Sequence, residues 1–586
     1  MKYLGVDYYP EQWGMEMVEE DLQGIKELNA NLIRIGDFAW DRFEPRDGEY
    51  DFTFFDEVIE KAKAHGLKVL MCVPTATMPA WLYEKHPEIM NVNEYGYSQP
   101  YGARRGYCVN SDYYLEKATA LAKALGEHYR HEEAIVAWQV DNEIGHEGSD
   151  MCYCENCHRK FIEYLRNKYQ DINELNERWG TSFWTQTYNS FEQIPLPKPS
   201  FTPHNPSLRL EWERFRSLSA VNYIKALRDA LKSVDPALVV THDFEGGTIG
   251  KHFDPFAIAQ CLDFVSYNNY PVWGGQKAPL SPSDLAFSLD FARGFKQSNI
   301  WVTESIMGAQ GHNDIGYAPK PNEAKQWAID STDHGVESVI FFRYRGFTKG
   351  AEQFCFGILD SDNEKRRKYY ETQSFFKEIQ PKQVTYPLSK VCLIYDYDSK
   401  SSMSLQRQSD VFNYEKECQK LYKQLFDRHL NCDIISSACD FSSYELVILP
   451  YMIIMSDEFK ARLKEYVSKG GKVIMTPRTG WKDTDNNLVL GKRLPVDLSD
   501  LTGCVIEEHE TLLSGQSSMT DKGEGYIFEE LLKETVGQRV ISWQNNPFGE
   551  YGAAVINKYG EGYCLYLGTS FNEVALSELF ELILRK

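Results

Sequence analysis

The residues best suited to chemistry lie in Ala137–Glu147, which reads A-W-Q-V-D-N-E-I-G-H-E. An apolar, β-prone run from Ile135 to Val140 stops at Asp141-Asn142-Glu143. A buried strand ending in an amide and a carboxyl delivers polar groups at its C-terminal end, where barrels of alternating strands and helices build their active sites. Glu304 closes a second apolar run, N-I-W-V-T-E-S at 299–305, in the same way. A single Glu at a strand end is an ordinary loop charge, but Asn-Glu and Thr-Glu closing two such runs make a pair. Glycoside hydrolysis with retention needs two carboxyls about 5–5.5 Å apart, one as nucleophile and one as acid, then base. Glu304 suits the first role and Glu143 the second, while the Asn142 amide suits a sugar 2-hydroxyl. An acid that protonates a leaving group near neutral pH needs a raised pKa, so Glu143 is expected to titrate high in the free protein.

A second cluster is built on sulfur. Cys152, Cys154 and Cys157 form C-x-C-x-x-C, and Cys108 lies upstream. Four thiolates on two loops match a closed tetrahedral zinc site, with reduced, unligated thiols as the plain alternative. His146 and His158 lie nearby as spare ligands. A four-Cys site has no open coordination position, so its metal would be structural and take no part in two-carboxylate chemistry.

Strand-like and helix-like segments alternate eight times before residue 385. The strands are Tyr3–Tyr9, Asn31–Phe38, Lys68–Pro74, Ile135–Asn142, Leu238–Phe244, Phe264–Tyr270, Ile300–Glu304 and Ser338–Tyr344. Amphipathic segments such as Met17–Leu28, Phe54–His65, Ala286–Phe295 and Asn322–His334 carry apolar residues at three- and four-residue spacing. Eight such units in series predict a (β/α)8 TIM barrel over residues 1–384. Glu143 and Glu304 then close its fourth and seventh strands and can face each other across its mouth. Long insertions at Thr75–Asn110 and Gly145–Ser207 follow the third and fourth strands, as expected of loops that shape a pocket.

Past Gln383 the pattern restarts. Strands at Lys390–Tyr397, Cys432–Ile435, Tyr444–Tyr451 and Lys472–Thr476 alternate with helices at Tyr414–His429 and Asp457–Ser468, and Ala553–Leu567 reads as closing strands. This predicts a flavodoxin-like α/β domain over 385–586. The turn after its first strand, Asp396-Tyr397-Asp398-Ser399-Lys400, has no phosphate-loop glycines, which favours a packing or assembly role and no nucleotide.

Composition narrows the partners. The 586 residues carry a net charge of −22, which disfavours nucleic acid and anionic membranes. No apolar run approaches the ~18 residues of a membrane span, and the N-terminus lacks a signal-peptide core. The 13 cysteines are odd in number and several sit in apolar strands, as in a reduced, cytoplasmic protein. Aromatic residues make up 14%, and their faces suit sugar rings.

The chain resembles glycoside hydrolase family 42, the β-galactosidases of the clan with catalytic Glu on strands four and seven. The resemblance rests on D-Y-Y-P-E-Q-W at 7–13, R-R-G-Y-C-V-N at 104–110, W-Q-V-D-N-E at 138–143, W-G-T-S-F-W-T-Q-T-Y at 179–188, D-F-V-S-Y-N-N-Y-P at 263–271 and G-A-E-Q-F at 350–354. It continues into L-V-I-L-P-Y and G-G-K-V-I-M, which are similar to the family's trimerisation domain. It implies a retaining β-galactosidase acting on a glycoside or oligosaccharide, with Glu143 as acid/base and Glu304 as nucleophile. It also implies Arg104, Asn142, Tyr270 and Glu352 as glycone contacts, structural zinc on Cys108, Cys152, Cys154 and Cys157, no organic cofactor, and a homotrimer. Two positions depart from the family. His312 stands where the family has a sugar-packing Trp, and Cys355 where it has a His reaching a sugar hydroxyl. Both fall in the glycone pocket and point to a related glycone such as α-L-arabinopyranose as the alternative. The family's small C-terminal β-sandwich is expected to be reduced or absent.

Overall fold

The computed structural model describes Met1–Lys586, apart from the side chain of Thr248. The chain divides into two compact units, residues 1–160 with 216–387, and 161–215 with 388–586.

The first unit is an eight-stranded parallel barrel. Its strands are β1 (Tyr3–Asp7), β2 (Leu32–Ile35), β3 (Lys68–Val73), β4 (Ile135–Val140), β5 in two pieces (Val240–Thr241 and Asp243–Phe244), β6 (Ser266–Asn269), β7 (Ile300–Ser305) and β8 (Val336–Phe341). They pair in sequence order, and β8 returns to pair with β1. The ring closes at β5 although that strand is broken at His242: its first piece pairs with β4 and its second with β6. Buried Leu32, Leu70, Ala137, Trp301 and Ile340 form one of the apolar layers that hold the strands together. A helix follows each strand, and local chemistry fixes the helix starts. Ser111 accepts from the Tyr114 N–H ahead of Asp112–His128, and Ser281 caps Pro282–Gly294, whose proline sits in the first turn.

Six of the eight strands end earlier than the sequence suggests, whereas β5 ends at Phe244 as expected and β7 runs one residue further, to Ser305. β4 stops at Val140 because Asp141 turns to a left-handed φ of 56° and leaves the ladder, as Glu143 does at 47°. Non-glycine residues in this region carry strain that surrounding contacts must hold, and it gathers at functional sites. At Asp141 the contacts are plain: one carboxyl oxygen accepts from the hydroxyls of Thr75, Tyr107 and Tyr223, at 2.7, 2.6 and 2.8 Å.

In the second unit, Val391–Tyr395, Cys432–Ser436, Leu446–Leu449 and Lys472–Met475 form a parallel sheet, as the sequence predicts. Gly562–Leu567 joins it in parallel, and Gly552–Tyr559, Phe528–Glu534 and Cys504–Thr511 extend it antiparallel. The segment after Tyr395, expected as a turn, is the helix Tyr397–Leu405; Asp396 caps it by accepting from the Ser399 N–H at 2.7 Å.

Candidate active site

The C-terminal rim of the barrel is organised around Arg34, a fully buried side chain on β2. Its Nη1 donates to Asp7 Oδ1 at 2.9 Å and to Glu304 Oε1 at 3.0 Å. Its Nη2 donates to Asp37, Asn142 Oδ1 and Asp243 at 2.9, 3.1 and 3.2 Å. One guanidinium thus faces four carboxyls from four strand ends. A single positive charge cannot balance four buried anions, so protons are retained among them. Burial, opposed by Arg34, pushes Asp7 up to about 7 and Asp37 up to about 6, and it also raises Asp243.

Glu304 and Glu143 both belong to this network. Glu304 Oε2 accepts from the Tyr270 hydroxyl at 2.6 Å, so each of its oxygens has a donor. Glu143 Oε2 accepts from Arg105 Nη2 at 2.6 Å and from Asn142 Nδ2 at 3.4 Å, and its Oε1 accepts from Asn268 Nδ2 at 3.0 Å. Asn142 bridges the pair, accepting from Arg34 on its oxygen and donating to Glu143 from its nitrogen. Beyond β4, His242 fixes the backbone: its Nδ1 donates to Val140 O at 2.8 Å, and its Nε2 accepts from the Ile144 N–H at 3.2 Å. That arrangement requires the neutral ring. Burial accordingly lowers the His242 pKa, against the carbonyl of Val140 and the nearby charges of Asp141 and Glu143.

The proton balance corrects one expectation. Glu143 does not titrate high in the free protein. Burial works to raise it, but Arg105, Arg104 and the Asn268 amide together hold it below the usual carboxylate value. Glu304 lies well above that range through burial, with Arg34 pulling down and the charge on Glu143 pushing up.

A second group lies around Glu352. Arg343 Nη1 donates to it at 3.0 Å and Arg104 Nη1 at 3.3 Å, and His312 Nε2 stands 3.7 Å away. Burial opposes ionisation here, yet His312 and the two arginines bring Glu352 down to about 2. Glu147 links the two groups, accepting from both Arg104 and Arg105. The structure therefore brings Asn142, Glu143, Tyr270 and Glu304 together, and Arg104, Glu352 and His312 beside them. Cys355 is different. It is wholly buried against Tyr9 and Phe342, with its Sγ turned to Gly311 O at 3.8 Å.

Sequence reading missed Arg34 and Arg105. Arg34 is one charge inside the apolar run L-I-R-I, a signal that could have marked it as inward-facing. Arg105 is hidden by its neighbour: a positive φ of 57° turns it inward while Arg104 points to Glu352.

The four cysteines also converge. The sulfurs of Cys108, Cys152, Cys154 and Cys157 lie within 4.8 Å of one another, with Cys108 Sγ 3.5 Å from Cys154 and 3.4 Å from Cys157. Sulfurs around one zinc at about 2.3 Å would be about 3.8 Å apart, so the cage fits a tetrahedral ion. Three of the sulfurs already face N–H donors that favour thiolates: the Asn110 amide N–H on Cys108, the Asn110 side chain on Cys157, and the Val92 N–H on Cys152. His146 is not part of this cage; it pairs with Glu245. No helix is long and apolar enough to cross a membrane among the described residues.

Comparison with known proteins agrees with the geometry. A family model described as beta-galactosidase matches residues 7–381, and one described as the beta-galactosidase trimerisation domain matches 389–586. The beta-galactosidase BgaA of Clostridium cellulovorans is 32% identical over 593 aligned residues, covering 99% of this chain and 89% of the relative. BgaH of Haloferax lucentense is 32% identical over 589, covering 96% and 87%. The solved beta-galactosidase of Halorubrum lacusprofundi superposes with a TM-score of 0.95 at 29% identity, covering 100% of this chain and 89% of that one. With matched models over nearly its whole length and both carboxyls at the ends of β4 and β7, the chain belongs to glycoside hydrolase family 42, the β-galactosidase family.

Proposed function

We propose that this protein is a retaining exo-β-galactosidase in which Glu304 is the nucleophile and Glu143 the acid/base. The observation that carries the assignment is the Arg34–Asn142 bridge, which ties two buried carboxyls from opposite strands into one hydrogen-bonded unit. In the first step Glu304 attacks the anomeric carbon, the glycosidic bond breaks, and Glu143 gives its proton to the departing oxygen. In the second, Glu143 as carboxylate takes a proton from water, whose oxygen attacks the same carbon and releases Glu304. Arg34 and Tyr270 hold the two oxygens of Glu304. Asn142 is assigned to the sugar 2-hydroxyl, and Arg104 with Glu352 to the glycone rim. His312, beside Glu352, favours substantial activity on α-L-arabinopyranosides beside β-galactosides.

The four-cysteine cage is assigned to structural zinc, and the second unit to assembly of a homotrimer, in keeping with the trimerisation-domain match. A cytoplasmic setting is in keeping with an odd number of cysteines, several of them buried in apolar strands. The test of the nucleophile is Glu304→Ala. It should abolish turnover, and azide should restore it while giving the inverted glycosyl azide. Wild-type hydrolysis with inversion at the anomeric carbon, followed by NMR, would overturn the assignment.

A further inference from the structure

Arg105 makes the closest contact to Glu143. Its guanidinium is buried and touches three groups: Nη2 donates to Glu143 Oε2 at 2.6 Å, Nη1 to Glu147 Oε2 at 3.1 Å, and Nε to the Asn142 carbonyl at 3.0 Å. The Nε bond fixes the base of the guanidinium while its two outer nitrogens span two carboxylates. The carboxylates differ in kind. Glu143 is buried on the rim, whereas the Glu147 side chain is 41% exposed and follows Gly145 on a left-handed stretch of backbone. A charge-assisted bond this short stabilises the ionised form of its acceptor. Ionised Glu143 is what the second step needs and what the first step cannot use.

Other groups also face Glu143. The cations are Arg34 from β2, Arg104 beside Arg105, and Lys251 beyond β5. The anions are Asp37, Asp243, Glu245 and Glu304; His146 and neutral His242 complete the surroundings. Among the cations only Arg105 donates directly to the Glu143 carboxyl and to a second, non-reacting carboxylate at once.

We infer that Arg105 is a positioning residue that times the proton on Glu143. Docked on Glu143, it holds the carboxylate that acts as base; drawn onto Glu147, it leaves Glu143 free to carry the proton that acts as acid. The proton enters from solvent, leaves on the aglycone oxygen in the first step, and is replaced from the attacking water in the second. Glu147 is the parking place, and the exposed loop that carries it is where an incoming aglycone can bias the exchange.

The inference rests on the acid/base reading of Glu143, and the experiment separates the two. The pH dependence of kcat/KM is measured with an alkyl β-galactoside, which needs protonation, and with a 2,4-dinitrophenyl β-galactoside, which does not. With the alkyl substrate, Arg105→Met should move the basic limb up by about one pH unit or more, because the cation opposing protonation is gone. Glu147→Gln should move it down, because Arg105 then stays on Glu143. Arg105→Lys, which keeps a cation, should restore much of the wild-type limb. The dinitrophenyl substrate should show none of these limb shifts. Loss of rate in Arg105→Met and Glu147→Gln with unmoved limbs, or with limbs moving the same way, overturns the inference. Glu147 lies at the surface, so its variant informs even if Arg105→Met folds poorly. Glu143→Ala slowing both substrates equally overturns the acid/base reading itself.

Discussion

Tyr270→Phe removes one hydroxyl and little else. That hydroxyl donates to Glu304 Oε2 at 2.6 Å. The ring is held separately, edge-on to Trp273 at 4.9 Å and to Phe342 at 6.3 Å, and phenylalanine keeps both contacts. Thermal stability should therefore change little, while Glu304 loses one of its two donors. A hydrogen bond to a charged group contributes about 1.5–3 kcal/mol, which corresponds to a fall in kcat/KM of roughly ten- to a hundredfold if the bond is fully used when Glu304 attacks. The pH profile should move as well. Glu304 already titrates above the ordinary carboxylate range, chiefly through burial. The tyrosine hydroxyl favours the ionised form, so its loss raises Glu304 further and carries the acidic limb of kcat/KM to higher pH. The assay is steady-state kinetics on p-nitrophenyl β-D-galactoside across the pH range, with a melting curve as control. A change in kcat/KM below about twofold with an unmoved acidic limb and an unchanged melting temperature would refute the view that this bond positions the nucleophile.

Metal analysis of purified protein should find about one zinc per chain, and removing it should need harsh chelation and lower the melting temperature; zinc-free protein with four titratable thiols at Cys108, Cys152, Cys154 and Cys157 would contradict the cage. Light scattering should give three times the 67.7 kDa chain mass, and a dilution-independent monomer mass would rule out assembly through the second unit. Cys355→His should raise the β-galactoside rate relative to the α-L-arabinopyranoside rate, against a packing cost of about 1–3 kcal/mol in its closed aromatic cluster. If it damages both substrates equally, position 355 does not select the glycone.

The barrel was legible because each β4-like run is apolar, bounded and followed by an amphipathic helix. The carboxyls at positions 143 and 304 were legible because each ends such a run. What escaped was set by through-space pairing. Arg34 belongs to the site because Asp7, Asp37, Asp243 and Glu304 converge on it; only Asp37 is a neighbour in the chain, and no local spacing announces the other three, 27, 209 and 270 residues away. Arg105 exchanges places with Arg104 through one backbone angle that two adjacent arginines do not reveal. The expectation of a high-titrating Glu143 failed for the same reason, since it was argued from the acid's role and the two arginines beside it are not visible in the local sequence. In the second unit, Cys504–Thr511 and Phe528–Glu534 escaped because charged residues, the buried Glu529 and Glu530 among them, interrupt their apolar pattern, and they pair antiparallel at a register no turn motif sets.

The break in β5 has a consequence for how this rim is inherited. At His242 an imidazole does the work of a peptide group, extending the edge of β4 past Val140 to Ile144. The loop bearing Glu143 is thus spelled partly in a residue almost a hundred positions downstream. Protonating that ring would place a donor against the Ile144 amide and undo the splice. Transplanting A-W-Q-V-D-N-E into another barrel would carry the words but not the grammar; the imidazole must travel with them.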